Sequence, residues 1–131
     1  MICCSQYNKL INEQGKQRFD DMLEADEEAD FMVEKFKELN YQVQLCRNPT
    51  RKEMNVLFKE LSKMITETAK QKERVLIHFY YTGHGKMKEQ TFAVLNEPVS
   101  KDALFPLESK IRNLSMHKNT SVYALFDCCR Q

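Results

Sequence analysis

The stretch Val75-Leu-Ile-His-Phe-Tyr-Tyr-Thr-Gly-His-Gly85 decides how the rest of the chain is read. Val75–Tyr81 is apolar or aromatic on both faces, interrupted only by His78. A strand of that composition belongs between two covering layers, as in the middle of a parallel sheet. Thr82-Gly-His-Gly85 ends it. A second run of the same kind, Ser121–Phe126, is followed by Asp127-Cys-Cys-Arg-Gln131. The segment between the two runs is long enough for a parallel crossover.

Upstream, Asn48-Pro49 marks a turn, and Thr50 with Glu53 forms a capping box at a helix start. Behind it Met54, Leu57, Phe58, Leu61, Met64 and Ile65 fall on one helical face. Before that turn, Tyr41, Val43 and Leu45 alternate with Gln42 and Gln44, as in a strand. Ala25, Ala29, Met32, Val33, Phe36 and Leu39 repeat in steps of three and four, predicting a helix from Met22 to Leu39. Its acidic first half (Asp20, Asp21, Glu24, Asp26, Glu27, Glu28, Asp30, Glu34) suits the positive end of a helix dipole. Ile2–Ser5 reads as a first strand, Thr91–Leu95 as part of a small hairpin, and Leu107–Leu114 as a short helix. The order β-α-β-α-β-(α)-β predicts a three-layer α/β/α sandwich with a mostly parallel sheet, one domain over residues 1–131.

Composition narrows the function classes. With 131 residues, 42% hydrophobic and 30% charged, the chain has the balance of a globular domain. Twenty Lys and Arg against nineteen Asp and Glu leave a net charge of +1, so no overall field favours nucleic acid or an anionic membrane. No segment approaches the roughly 18 uninterrupted apolar residues of a membrane span, and the first residues lack a signal peptide's regions; a cytoplasmic location is expected. Five cysteines in two adjacent pairs plus one suit neither a disulfide framework nor zinc. Bridging Cys128 to Cys129 would close a strained ring, unlike the C-x-x-C of redox proteins.

Ligands gather outside the carboxyl ends of parallel strands. His84 follows the strand ending at Tyr81, and Cys129 the strand ending at Phe126. If the strands are neighbours, an imidazole and a thiol meet at one edge. That pair can perform acyl transfer, with the thiolate attacking a carbonyl carbon and the imidazole handling the protons. Glycines on both sides of His84 leave room for a substrate backbone, and the Gly85 amide could stabilise an oxyanion beside that of Cys129. His78 is expected as a core histidine and His117 as an exposed loop residue.

Tyr80-Tyr-Thr-Gly-His-Gly85 followed by Phe126-Asp-Cys-Cys-Arg-Gln131 resembles the paired signature of the caspase-like cysteine peptidases (clan CD), which include caspases, metacaspases and paracaspases. In the caspase form the nucleophile lies in Q-A-C-[RQG]-G with its histidine about 50 residues upstream. The stretch Asp26–Val43 also resembles the family's first helix and following strand. The resemblance implies cysteine-type endopeptidase activity, with His84 as catalytic histidine and Cys129, rather than Cys128, as nucleophile, because Cys129-Arg130 aligns with the Cys-Arg of caspases. Caspases cut after Asp using Arg in the primary pocket, and the stretch Asp20–Asp26 has no Arg. Asp127 stands where metacaspases have a carboxylate for a pocket accepting Arg or Lys, and Thr82 where that group has Ser. Asp26 or Glu28 could supply a second acid. Cleavage of a peptide or protein substrate after Arg or Lys is therefore expected. No cofactor is implied; Ca²⁺ activation, known among metacaspases, rests on resemblance alone, and no loop has EF-hand spacing.

The family's small-subunit portion, with further strands and part of the substrate groove, is not among these 131 residues, and the motif's usual Gly is replaced by Gln131. An open sheet edge is the expected result. It would suit a small-subunit-like chain, or a homo- or heterodimer partner. The alternative reading is accordingly a non-catalytic or truncated caspase-like interaction module.

Overall fold

In the computed structural model, residues 1–10, 14–17, 19–98 and 103–128 are described. The element order is β1 (Ile2–Cys3), α1 (Glu24–Glu38), β2 (Cys46–Arg47), α2 (Arg51–Lys70), β3 (Val75–Thr82), β4 (Gly85–Met87), β5 (Thr91–Val94), β6 (Leu104–Phe105), α3 (Leu107–Ser115) and β7 (Thr120–Asp127). The main sheet runs β2-β1-β3-β7, with every pair parallel. A small antiparallel sheet, β4-β5-β6, follows β3 and contains the expected hairpin.

The helices divide between the two faces of the main sheet, giving the α/β sandwich the sequence predicts. On one face, Ala25 and Ala29 of α1 pack against Cys3 of β1; their small side chains let the helix backbone come close to the strand. On the other, Met54, Leu57, Phe58 and Ile65 of α2 and Leu107, Ile111 and Leu114 of α3 close over Phe79 and Tyr81 in the main core. Phe58 lies between Phe79 and Phe105, at ring-centroid distances of 5.8 and 5.9 Å. Thr50 caps α2 as its sequence requires: its hydroxyl accepts from the Glu53 N–H, and the Glu53 carboxylate accepts from the Thr50 N–H at 2.7 Å.

Five sequence expectations change. No strand forms over Tyr41–Leu45, and β2 is the two residues just after it, Cys46–Arg47; the strand expected over Ile2–Ser5 is Ile2–Cys3. These have one cause: β1 reaches only the last rungs of β3, pairing Ile2 with Tyr81 and Cys3 with Thr82. Below them, among the described residues, Met1 meets this segment through its amino group, which donates to the Gln44 carbonyl at 2.7 Å, and no ladder joins residues 41–45 to β3. A groove of about 490 Å³ remains there, lined by Phe36, Tyr41, Leu57, Leu61, Ile77 and His78 among others. His78 is exposed at that groove rather than buried in the core, its ring 5.0 Å from Tyr41 and 5.3 Å from Tyr123. Finally, β7 is an edge strand: Tyr123 and Leu125 are 62% and 58% exposed on the face that α1 leaves uncovered. Met64, placed on the apolar face of α2, is half-exposed where that helix overhangs the groove.

Candidate active site

The register between β3 and β7 sets the site. The strands pair from Val75↔Thr120 to Thr82↔Asp127, and the Gly83 N–H continues the ladder to the Asp127 carbonyl at 3.3 Å. The chain segments that leave these two tips carry His84 and Cys128. Cys129 lies outside the described residues. Cys128 is half-buried and packs against the main core, on the side of the sheet occupied by Phe126.

Main-chain and side-chain contacts hold His84 from several directions. Its N–H donates to the Tyr7 hydroxyl at 2.8 Å, which in turn donates to the Cys4 carbonyl at 2.8 Å. Its carbonyl accepts from the Tyr81 hydroxyl at 2.6 Å and from the Val94 N–H at 2.9 Å. The ring lies edge-on to Tyr7 at 4.6 Å and tilted against Phe19 at 5.0 Å. Its Nε2 is 2.8 Å from the Asp20 carbonyl oxygen. A carbonyl only accepts, so Nε2 is the donor, and in the neutral ring Nδ1 is left as the basic nitrogen. The turn before His84 needs glycine: Gly83 has φ +144°, and a Cβ there would meet the Tyr7 hydroxyl at 2.7 Å and the Cys4 carbonyl at 2.9 Å. Gly85 is buried and opens β4 opposite Ala93. Because the neighbouring His84 carbonyl bonds to β5, the alternation of the antiparallel ladder turns the Gly85 amide away from β5.

The loop that brings Phe19 and Asp20 to the ring is tied down by side chains reading its backbone. The Asp21 carboxylate accepts from the Tyr7 N–H at 2.7 Å and from the Gln17 amide at 3.0 Å. Asn48 accepts from the Ser5 and Gln6 N–H groups at 2.8 and 2.9 Å. Sequence reasoning missed this support. Asp20 works through its carbonyl, to which residue type is silent. The available signal was a pair of aromatic residues, Tyr7 and Phe19, in a mostly polar loop.

The acidic residues divide. Arg47, Cys3, Thr82 and Asp127 form one row across the four strand tips, and the start of α1 lies above it. Asp26 is paired with Arg47 and also accepts from the Cys3 thiol at 3.6 Å. Burial works against its charge, but hydrogen bonds from Ser5 and Arg47 outweigh this and hold its carboxyl below the ordinary value. Glu28 accepts from the Tyr80 hydroxyl. Burial, and then the Glu28 and Asp127 charges, push the Tyr80 phenol upward, so Asp127 lies close enough to act on the same group. Asp127 is exposed at the end of its strand. Thr82 is 1% exposed, and its Oγ1 has no hydrogen-bond partner among the described residues, an uncommon state for a buried hydroxyl. The structure thus brings Thr82, Asp127, Tyr80 and Glu28 into one neighbourhood, with Asp26 held one strand away by Arg47.

Among the described residues, no helix is long and apolar enough to cross a membrane. A comparison with curated proteins finds no match to the chain. The model of the caspase domain family, Peptidase_C14, matches residues 1–131; the sheet, its flanking helices and the histidine turn described above are those of a chain that belongs to the caspase domain family, a cysteine-peptidase lineage.

Proposed function

We propose that the chain carries the catalytic half of a cysteine endopeptidase that cleaves after Arg or Lys, with His84 and Cys129 as the dyad. The observation that carries this reading is the continuous β3–β7 register to Thr82↔Asp127, since in the sequence His84 follows Thr82, and Cys129 follows Asp127, by two residues. In the proposed reaction the Cys129 thiolate attacks the scissile carbonyl carbon, and His84 holds the thiol proton at Nδ1. The imidazolium then gives that proton to the leaving amine, and water hydrolyses the thioester. With Nε2 committed to the Asp20 carbonyl, the ring keeps one orientation through both steps. The Gly85 amide is the proposed oxyanion donor. Asp127 and the buried Thr82 hydroxyl are the proposed readers of a basic side chain, with Glu28 as the further acid. The unbridged thiols of Cys3, Cys4 and Cys46 fit a reducing, cytoplasmic setting.

The test is active-site labelling. A peptide acylating agent with arginine at P1 is expected to modify Cys129. Cys129→Ala should abolish the modification, and Cys128→Ala should leave it. Modification of Cys128 instead, or no dependence on His84, would overturn the assignment.

A second reading is supported by β7, whose outer edge is unpaired among the described residues and whose Tyr123 and Leu125 are exposed. On this reading the domain pairs with a partner strand, such as a small-subunit-like chain, and the dyad residues are retained without turnover. It predicts no labelling and a shift to a larger species in size-exclusion chromatography when the partner is added.

A further inference from the structure

Arg47 is placed where it bears on substrate choice. Its guanidinium spans one turn of α1, with Nη1 on Asp26 and Nη2 on Asp30 at 2.6 Å. Through the paired tips, Arg47 is next to Cys3, and Cys3 is next to Thr82. Neighbouring strands are about 4.8 Å apart, so the backbones of Arg47 and Thr82 are roughly 10 Å apart, with the Arg47 charge fixed on the first turns of α1 above the same row. Asp26 is the acid above this row, and its charge already faces a resident cation: Arg47 and the Cys3 thiol both lie on Oδ1. A substrate guanidinium would have to share that carboxylate with the resident one and would meet its positive charge.

We infer that Arg47 is a specificity-determining residue, one that withdraws Asp26 from the primary pocket and so limits how strongly that pocket prefers a cationic side chain over a neutral one. The inference rests on the proposed peptidase reading and assigns the recognition of charge to Asp127 and Glu28. Arg47 touches neither substrate nor the reacting atoms. Its effect is on selectivity: a charged and an uncharged side chain of the same shape should respond differently to its removal.

Two peptide acylating agents that differ only at P1, arginine against its uncharged isostere citrulline, separate these effects. Arg47→Met is expected to raise the ratio of their labelling rates about three- to tenfold, with the citrulline rate little changed. Arg47→Lys keeps the charge but reaches only one carboxylate, and should fall between; it carries the comparison if the methionine variant does not fold. Adding Asp26→Asn to Arg47→Met should remove the gain. An unchanged or lowered ratio in Arg47→Met overturns the inference, as does a gain that survives in the double variant. Labelling of the unsubstituted chain by the citrulline agent reports on the peptidase reading alone. If neither agent labels it, that reading fails, and benzamidine binding measured by calorimetry decides the role of Arg47. Tighter binding by Arg47→Met then supports the inference, and equal binding ends it.

Discussion

At the scale of single residues, the histidine turn is held by groups that leave no slack. Gly83 occupies a backbone region open to glycine, with the Tyr7 hydroxyl and the Cys4 carbonyl closer than a Cβ allows. Gly83→Ala is expected to destabilise the fold by about 2–4 kcal/mol, combining backbone strain with displacement of Tyr7; a chemical denaturation midpoint measures it. Tyr7→Phe keeps the ring against His84 but loses both hydroxyl bonds, and should cost about 1–2 kcal/mol. The buried thiols give a pH signature. Burial raises Cys4 to about 12, and burial with the Asp26 charge raises Cys3 to about 12, against about 8.5 for an unfolded cysteine. Between these values the unfolded chain loses protons that the folded chain keeps, so stability falls as pH rises. Their contribution is whole below about pH 8.5 and gone above 12. Tyr7 and Tyr81, whose phenols are also raised by burial, extend the decline at the alkaline end. Urea midpoints should hold level from pH 7 to about 8.5 and fall from there to pH 11, and Cys4→Ala should flatten that slope while lowering the neutral value slightly.

At the scale of elements, α2 depends on its cap. Thr50→Ala removes the acceptor for the Glu53 N–H and the reciprocal geometry, and is expected to cost about 1 kcal/mol in thermal or urea unfolding. Elements of this kind were legible in the sequence because they are specified locally. The capping box and the apolar repeat from Met54 to Ile65 identify α2 without reference to anything else. The two apolar runs were found for the same reason, but their surroundings were not. The pattern of Ser121–Phe126 is that of a covered strand, whereas cover comes from neighbours, and among the described residues β7 has one on a single side. Tyr41–Leu45 alternates like a strand, yet a strand needs a ladder partner. Only two residues of β1 reach the sheet. Of the candidate site, His84 and Asp127 were legible through the punctuation after each run. The Asp20 carbonyl and the Arg47–Asp26 pair were not, since one acts through the backbone and the other joins residues far apart in the chain.

At the scale of the whole molecule, the outer edge of β7 has the features of an assembly surface. From Thr120 to Phe126 it has no charged residue and no proline, the usual guards of an edge strand. The chain is therefore expected to self-associate at high concentration, and Leu125→Lys should lower that tendency, as read by sedimentation velocity, without changing the denaturation midpoint by more than about 0.5 kcal/mol. At the other side of β3, the short β1 shapes how the sheet moves. Because it ties β2 to β3 only at their last residues, the sheet is laced across all four strands at one end and divided at the other, like a fan held at its pivot. Stiffness is concentrated at the pivot, where Arg47, Cys3, Thr82 and Asp127 stand abreast. Thermal breathing is left to the far ribs, so that amide exchange at Leu76 and His78 should outpace that at Tyr81 and Thr82.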